Sequence, residues 1–321
     1  PFIKNGRIER LTKYYDRFGW RDRFYKAAIQ QLTFDDEIYS VPLTVNNVNL
    51  FYNKLIFAQF NLKPPVTFED LFQVADILNS NGIFPIVWGN RYRWTGMDYF
   101  HILAGQTSGD LLKKADAGTV AFTHPGFIEA MEALKLLIDK DVFAPGINAM
   151  SDGDVRQLFY FGKAAMFLGG TWCLVDINEN APPDIELGLI QFPVIKSGYS
   201  HVSSGGVGMN VVVNINSPRK ELALKFIDFF TSTEEQKRYV YEVQATSSNI
   251  RANVDEVIRW DLLRIFNQFQ TNTVPRVLYT KEYWDAIADG IQLLVENEKT
   301  PIEVLQEVEK LRLKITDKVS G

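Results

Sequence analysis

Two short apolar runs, Tyr39–Thr44 and Val48–Tyr52, flank the polar pair Asn46-Asn47. Their aromatic and β-branched content reads as two strands. Pro42 lacks a backbone donor and suits the end or edge of a sheet better than its centre. A strand that stops being core and becomes core again a few residues later predicts a chain passing between two packed bodies. The stretch is therefore read as a hinge.

Downstream periodicity predicts an α/β body. Residues 1–34 carry charged helical patterns, and Asp35-Asp36-Glu37 is a turn. After the stop at Pro64-Pro65, Thr67-Phe68-Glu69-Asp70 has the form of an N-cap with an acid at the third helical position. Leu71, Phe72, Ala75 and Leu78 give that helix one apolar face, and Ile83–Trp88 follows as a compact buried strand. Helices are expected near 97–105, from Pro125 and over Asp154–Phe161, then a strand at Ala164–Leu168 ending in the turn Gly169-Gly170-Thr171-Trp172. Strands are expected at Leu187–Gln191 and Val207–Val213. Ser217-Pro218 opens a helix with Leu222, Phe226 and Phe230 one turn apart, and Ser232 with Glu235 opens another. Gln244–Asn249 is a polar interruption. Helices over 252–269, 281–296 and from Thr300 complete the chain, the last with the stripe Val304, Val308, Leu311 and Ile315.

At 321 residues and 46 % hydrophobic, the chain favours two domains over one. A net charge of −5 argues against nucleic acid or an anionic membrane as partner. No apolar run approaches the roughly 20 residues needed to cross a bilayer. The single Cys173 excludes an internal disulfide and a cysteine-built zinc site, and His101, His124 and His201 share no metal-ligand spacing. No cofactor or metal is expected. Gly205-Gly206-Val207-Gly208 precedes a strand and cannot offer a helix N-terminus to a phosphate. With no nucleophile elbow and no marked general acid, the residues give little support to an enzyme. Aromatics at 13 %, including 6 Trp, suit carbohydrate contact, with a ring-rich core as the plain alternative. The loop Gly89–Gly96, with Arg91, Tyr92, Arg93 and Trp94, stands at the carboxyl end of a strand, where α/β sheets gather ligands.

Three stretches together resemble one family. They are Ile38–Pro42 running into Leu50–Lys54 and Pro64–Leu71; Phe161–Met166 through Gly170-Thr171-Trp172; and Gly205–Gly208 with Ser217–Phe226. In order and spacing they are similar to the bacterial extracellular solute-binding proteins, the sugar receptors of ABC importers, and to the maltose-binding branch in particular. The resemblance implies an α/β, two-lobed, type II periplasmic-binding-protein fold that closes on its ligand in the interlobe cleft by hinge bending. It implies lobe one at 1–44 plus 206–248 and lobe two at 46–204 plus 251–321, with crossovers near 44–48, 201–206 and 244–251. Pro1-Phe2-Ile3 resembles a point inside lobe one, lacking roughly the first hundred residues of the family, so that lobe is expected to be incomplete or to lean on another chain.

The resemblance also supplies candidate contacts. Trp172 matches a position that stacks a sugar ring, Asn46 matches an acidic sugar contact, and Trp284 lies where late aromatic contacts occur. Trp94 and Arg91 come from the loop argument. Ser203, Ser204, Gly205 and Gly206 would bring hydroxyls and backbone donors at the second crossover, and Arg251 follows the third. Against each stands packing, turn formation or solvation, and Trp20, Trp88 and Trp260 are read as packing residues. The implied protein is a monomeric, extracytoplasmic receptor, periplasmic or lipid-anchored, that presents a carbohydrate to the membrane subunits of an ABC transporter. A peptide, polyamine or glycerol phosphate in the same fold is the alternative, and a carbohydrate-active enzyme the next.

Overall fold

The protein is described by a computed structural model covering residues 2–3, 5–258, 260–270, 273–276 and 280–320. Among the described residues ten strands run in chain order: β1 Thr33–Phe34, β2 Glu37–Ile38, β3 Val41–Pro42, β4 Val45–Asn53, β5 Phe84–Val87, β6 Ala164–Gly170, β7 Leu187–Ile190, β8 Ser203–Val207, β9 Asn210–Val211 and β10 Thr273–Pro275. The main sheet has the order β10-β8-β4-β6-β5, with β7 antiparallel on β4 from Leu50 to Asn53. β5 and β6 are parallel, as the helices between them require.

The chain forms two units: residues 1–47, 170–180 and 205–275, and residues 48–169, 181–204 and 276–321. Strands β4, β6 and β8 each begin in one unit and end in the other. The first unit packs around Leu11, Tyr15, Trp20, Phe24, Leu224 and Ile227. Its described strands include two short pairs, the hairpin β1-β2 and the pair β3-β9. The hairpin turns through Asp35 and Asp36, both with positive φ, which acidic turn residues tolerate. Pro42 lies opposite Asn210 in β3-β9.

The second unit has the larger core, with Leu50, Ile86, Trp88, Tyr99, Phe127 and Phe192 at its centre. The helix Phe68–Ser80 starts with a full capping box between Thr67 and Asp70. Pro125–Asp139 starts with proline in its first turn and buries Phe127, Met131 and Leu134. The last helix, Pro301–Ser320, sets Val304 and Val308 into the same core.

Several expectations change. β4 is continuous through Asn46-Asn47, because both amides are bonded inside the first unit: Asn46 accepts from Thr171 and Asn47 donates to Phe266 O at 2.9 Å. Ser203–Val207 is itself a strand, and the apolar run after it contributes only Asn210–Val211. In the helix Lys220–Phe230, Leu224 and Ile227 face the core, while Leu222, Phe226 and Phe229 are 60, 60 and 57 % exposed. Of the repeat read from the sequence, Leu222 and Phe226 point outward and Phe230 is half-buried.

Gln244–Asn249 is no passage between bodies. Gln244, Thr246, Ser247, Ser248 and Asn249 are buried in the first unit, where Ser247 donates to Gln236, Ser248 to Pro42 O and Asn249 to Thr231 O. The chain instead crosses at 275/276, and Gly170–Asn180 belongs to the first unit. Among the described residues of the 252–269 stretch, only Asp261–Phe269 is α-helical, after a 3-10 turn at Asp255–Val257.

Candidate ligand-binding site

In the first unit, β6 ends at Gly170 and the chain turns through Thr171 and Trp172 into the helix Cys173–Asn180. The Trp172 ring folds back over Gly170: a Cβ added there would lie 2.6 Å from Trp172 Cε3 and closer still to two other ring atoms. The residue nevertheless stays 37 % exposed. Beside it Thr171 Oγ1 donates to Asn46 Oδ1 at 3.0 Å. Glycine allows the chain to come this close to Asn46, since a Cβ at Gly205 would crowd Asn46 O and sit 2.7 Å from Thr273 Cγ2. Gly206 has φ of 131°, a region that favours glycine, and Gln31 Oε1 accepts from the next N–H, that of Val207, at 2.8 Å. The structure thus gathers Asn46, Thr171, Trp172, Gly205 and Gly206 in one unit, with Gln31 near by. Thr171 and Gln31 escaped the sequence reading. Thr171 was signalled by its place in the turn, Gln31 by nothing local.

In the second unit, the loop after β5 carries Arg91, Tyr92 and Arg93 into the helix Trp94–Ser108. Thr95 fixes the turn, taking a hydrogen bond from Trp88 Nε1 at 3.1 Å and donating to Gly89 O at 2.5 Å. Arg93 adopts left-handed φ, 67°, a strained choice for a branched-free but bulky residue. Its guanidinium is engaged by Asp289 and by Asp285 at 3.5 Å, and lies 5.2 Å from the Trp284 ring centroid. The Trp94 indole donates to Asp152, whose carboxyl is pushed up by burial while Arg156 and that bond oppose the shift. Trp94 and Trp284 are both half-buried, and Arg91 and Tyr92 are exposed.

Three candidates are placed otherwise. Ser204 is fully buried and donates to Asp98 Oδ1 at 2.7 Å, so its hydroxyl holds the fold rather than facing solvent. Ser203 is equally buried and bonds Asn49 at 2.6 Å. Arg251 stands exposed in the turn after Asn249, its N–H donating to Asn249 Oδ1 at 3.0 Å. Trp20 and Trp88 are core residues.

A sequence model of the bacterial extracellular solute-binding proteins matches residues 10–237. The chain belongs to that family. A multiple sugar-binding protein of Streptococcus mutans is 26 % identical over 222 residues, which are 66 % of this chain and 51 % of that protein. The maltodextrin-binding protein MdxE of Bacillus subtilis is 24 % identical over 276 residues, covering 81 % of this chain and 63 % of that protein. A binding protein of Brucella abortus matches at 26 % over 240 residues, 57 % of its length, so the chain spans little more than half of such relatives. Among solved structures, a chitin oligosaccharide binding protein superposes with a TM-score of 0.86 at 23 % identity, over 99 % of this chain and 81 % of that one. A maltose-bound MalE3 of T. maritima gives 0.81 at 21 %, over 97 % and 81 %. These neighbours show the α/β, type II periplasmic-binding-protein-like fold. Membership makes this an extracytoplasmic protein. Among the described residues no helix is long and apolar enough to cross a membrane.

Proposed function

We propose that the chain is the ligand-capturing part of a non-enzymatic carbohydrate receptor that delivers a sugar or oligosaccharide to an ABC importer. The observation that carries this is the Trp172 ring, laid over Gly170 in a residue that stays 37 % exposed, beside the Asn46–Thr171 pair. A pyranose offers an apolar C–H face and a rim of hydroxyls, and it asks for an aromatic plane next to neutral donors and acceptors. Asn46, Thr171 and Gln31 are such groups. The Trp94 and Trp284 rings of the second unit offer the same chemistry, and the sugar-binding names of the relatives in S. mutans and B. subtilis point the same way.

A phosphate or polyamine ligand would instead call for unbalanced charge. Asn46, Thr171 and Gln31 are uncharged side chains, and Arg93 is already engaged by Asp285 and Asp289. The neutral saccharide is therefore favoured over peptide, polyamine and glycerol phosphate. The proposed partners are the membrane subunits of the importer, and the receptor acts as a monomer.

Isothermal titration against neutral oligosaccharides, glycerol phosphate, a polyamine and short peptides tests the reading. Saturable binding confined to neutral saccharides, recovered intact, is the expected result. Binding of the charged ligands alone would overturn it, and so would hydrolysis of the sugar.

A further inference from the structure

The helix Trp94–Ser108 carries Asp98 one turn after Trp94. Asp98 is 2 % exposed, yet its carboxylate is fully engaged. Oδ1 accepts from Ser204 Oγ at 2.7 Å and from Arg276 Nε at 2.8 Å, and Oδ2 accepts from Arg276 Nη2 at 2.6 Å. A planar guanidinium bound through two nitrogens fixes direction as well as distance. His101, one turn further on, does not compete for the charge, because burial lowers its pKa to about 4 and keeps the ring neutral.

The positions of the two donors give the cluster its meaning. Ser204 is the last residue of the second unit before the chain crosses at 204/205, and Arg276 is the first after it returns at 275/276. Segments distant in sequence thus end on one buried carboxylate. Removing one partner of such a pair leaves the other without compensation, so neither connection can let go of Asp98 without disturbing the second.

We propose that Asp98 is a positioning residue that ties the connections at 204/205 and 275/276 to the helix bearing Trp94, so that the two loosen and tighten together. Its extension to ligand capture rests on the carbohydrate-receptor reading; the coupling of the two connections does not.

Amide hydrogen exchange on the full chain without ligand tests the coupling. Asp98→Asn is expected to speed exchange roughly ten- to a hundredfold in both 203–207 and 273–276, the scale of a lost charge-assisted bond. The core helix Pro125–Asp139 should stay unchanged. A rise at only one connection, at neither, or spread evenly through that helix overturns the proposal. If Asp98→Asn does not fold, Ser204→Ala, Arg276→Lys and their combination decide. Non-additive effects on the two segments support a shared carboxylate, and additive ones refute it. With a binding saccharide added, protection should rise in both segments of the wild type together. Separate responses would remove the link to ligand capture while the ligand-free comparison still judges the clamp.

Discussion

Gly170→Ala separates the role of the Trp172 ring from its mere presence. The added Cβ would lie 2.6 Å from Trp172 Cε3, nearer than real Cβ contacts come, and it would meet side chain rather than backbone. The ring can therefore yield by swinging away. Because Trp172 is already 37 % exposed, the overpacking cost falls at the low end of the usual range, about 1 kcal/mol. Loss of an aromatic platform costs a ligand that stacks on it as much or more, about 1–3 kcal/mol, or roughly five- to 150-fold in Kd. Urea unfolding and isothermal titration on the same preparation read the two numbers. The expected outcome is a small loss of stability with a large loss of saccharide affinity, matched by Trp172→Ala. Affinity equal to wild type in Gly170→Ala would refute the claim that ring placement over Gly170 builds the site.

Two further substitutions test the fold around it. Gly205→Ala puts a Cβ against the Asn46 carbonyl and 2.9 Å from Asn47 Cα, backbone that cannot swing aside. It should cost at least about 1–3 kcal/mol in urea unfolding, clearly more than Gly170→Ala, and equal costs would contradict the packing. Asp116 accepts from Thr280 N at 2.8 Å, and burial pushes its carboxyl up from 3.8 to about 6. A raised acid favours the protonated folded form, so its contribution is fully present below the unfolded value and is lost as pH climbs from 3.8 through 6. Asp116→Asn keeps an acceptor without the charge and should stabilise by about 1–2 kcal/mol at pH 7, an advantage that fades towards acid pH. An advantage independent of pH would point to another cause.

What the sequence made legible follows from how local each signal is. Thr67–Asp70 declares a helix start by itself, because the capping box closes within four residues. The Pro125 start and the Val304–Val308 stripe are of the same kind. The continuity of β4 is not, since its polar pair is satisfied by Thr171 and by Phe266, far along the chain. Gln244–Asn249 misled for the same reason. A run of polar residues reads as solvated loop, yet these are buried and paired with Gln236, Thr231 and Pro42. Leu222 and Phe226 mark a helical period correctly but not which side is inside, because Leu224 and Ile227 form the competing face.

The candidate site divides along the same line. Trp172 in its turn was visible in the chain, and so was the polar-aromatic loop that ends in Trp94. The Arg93–Trp284 contact joins segments that only the fold brings together. The bond of Ser204 has no local signal, because its hydroxyl answers to a carboxylate on a distant helix, Asp98.

Contact between Trp172 and a sugar is the most direct consequence of a carbohydrate receptor built this way. Tryptophan fluorescence of the wild-type chain, titrated with neutral oligosaccharides, should change saturably with at least one of them, and that change should vanish in Trp172→Ala. A saturable signal that survives in Trp172→Ala, or no response to any saccharide, would contradict it.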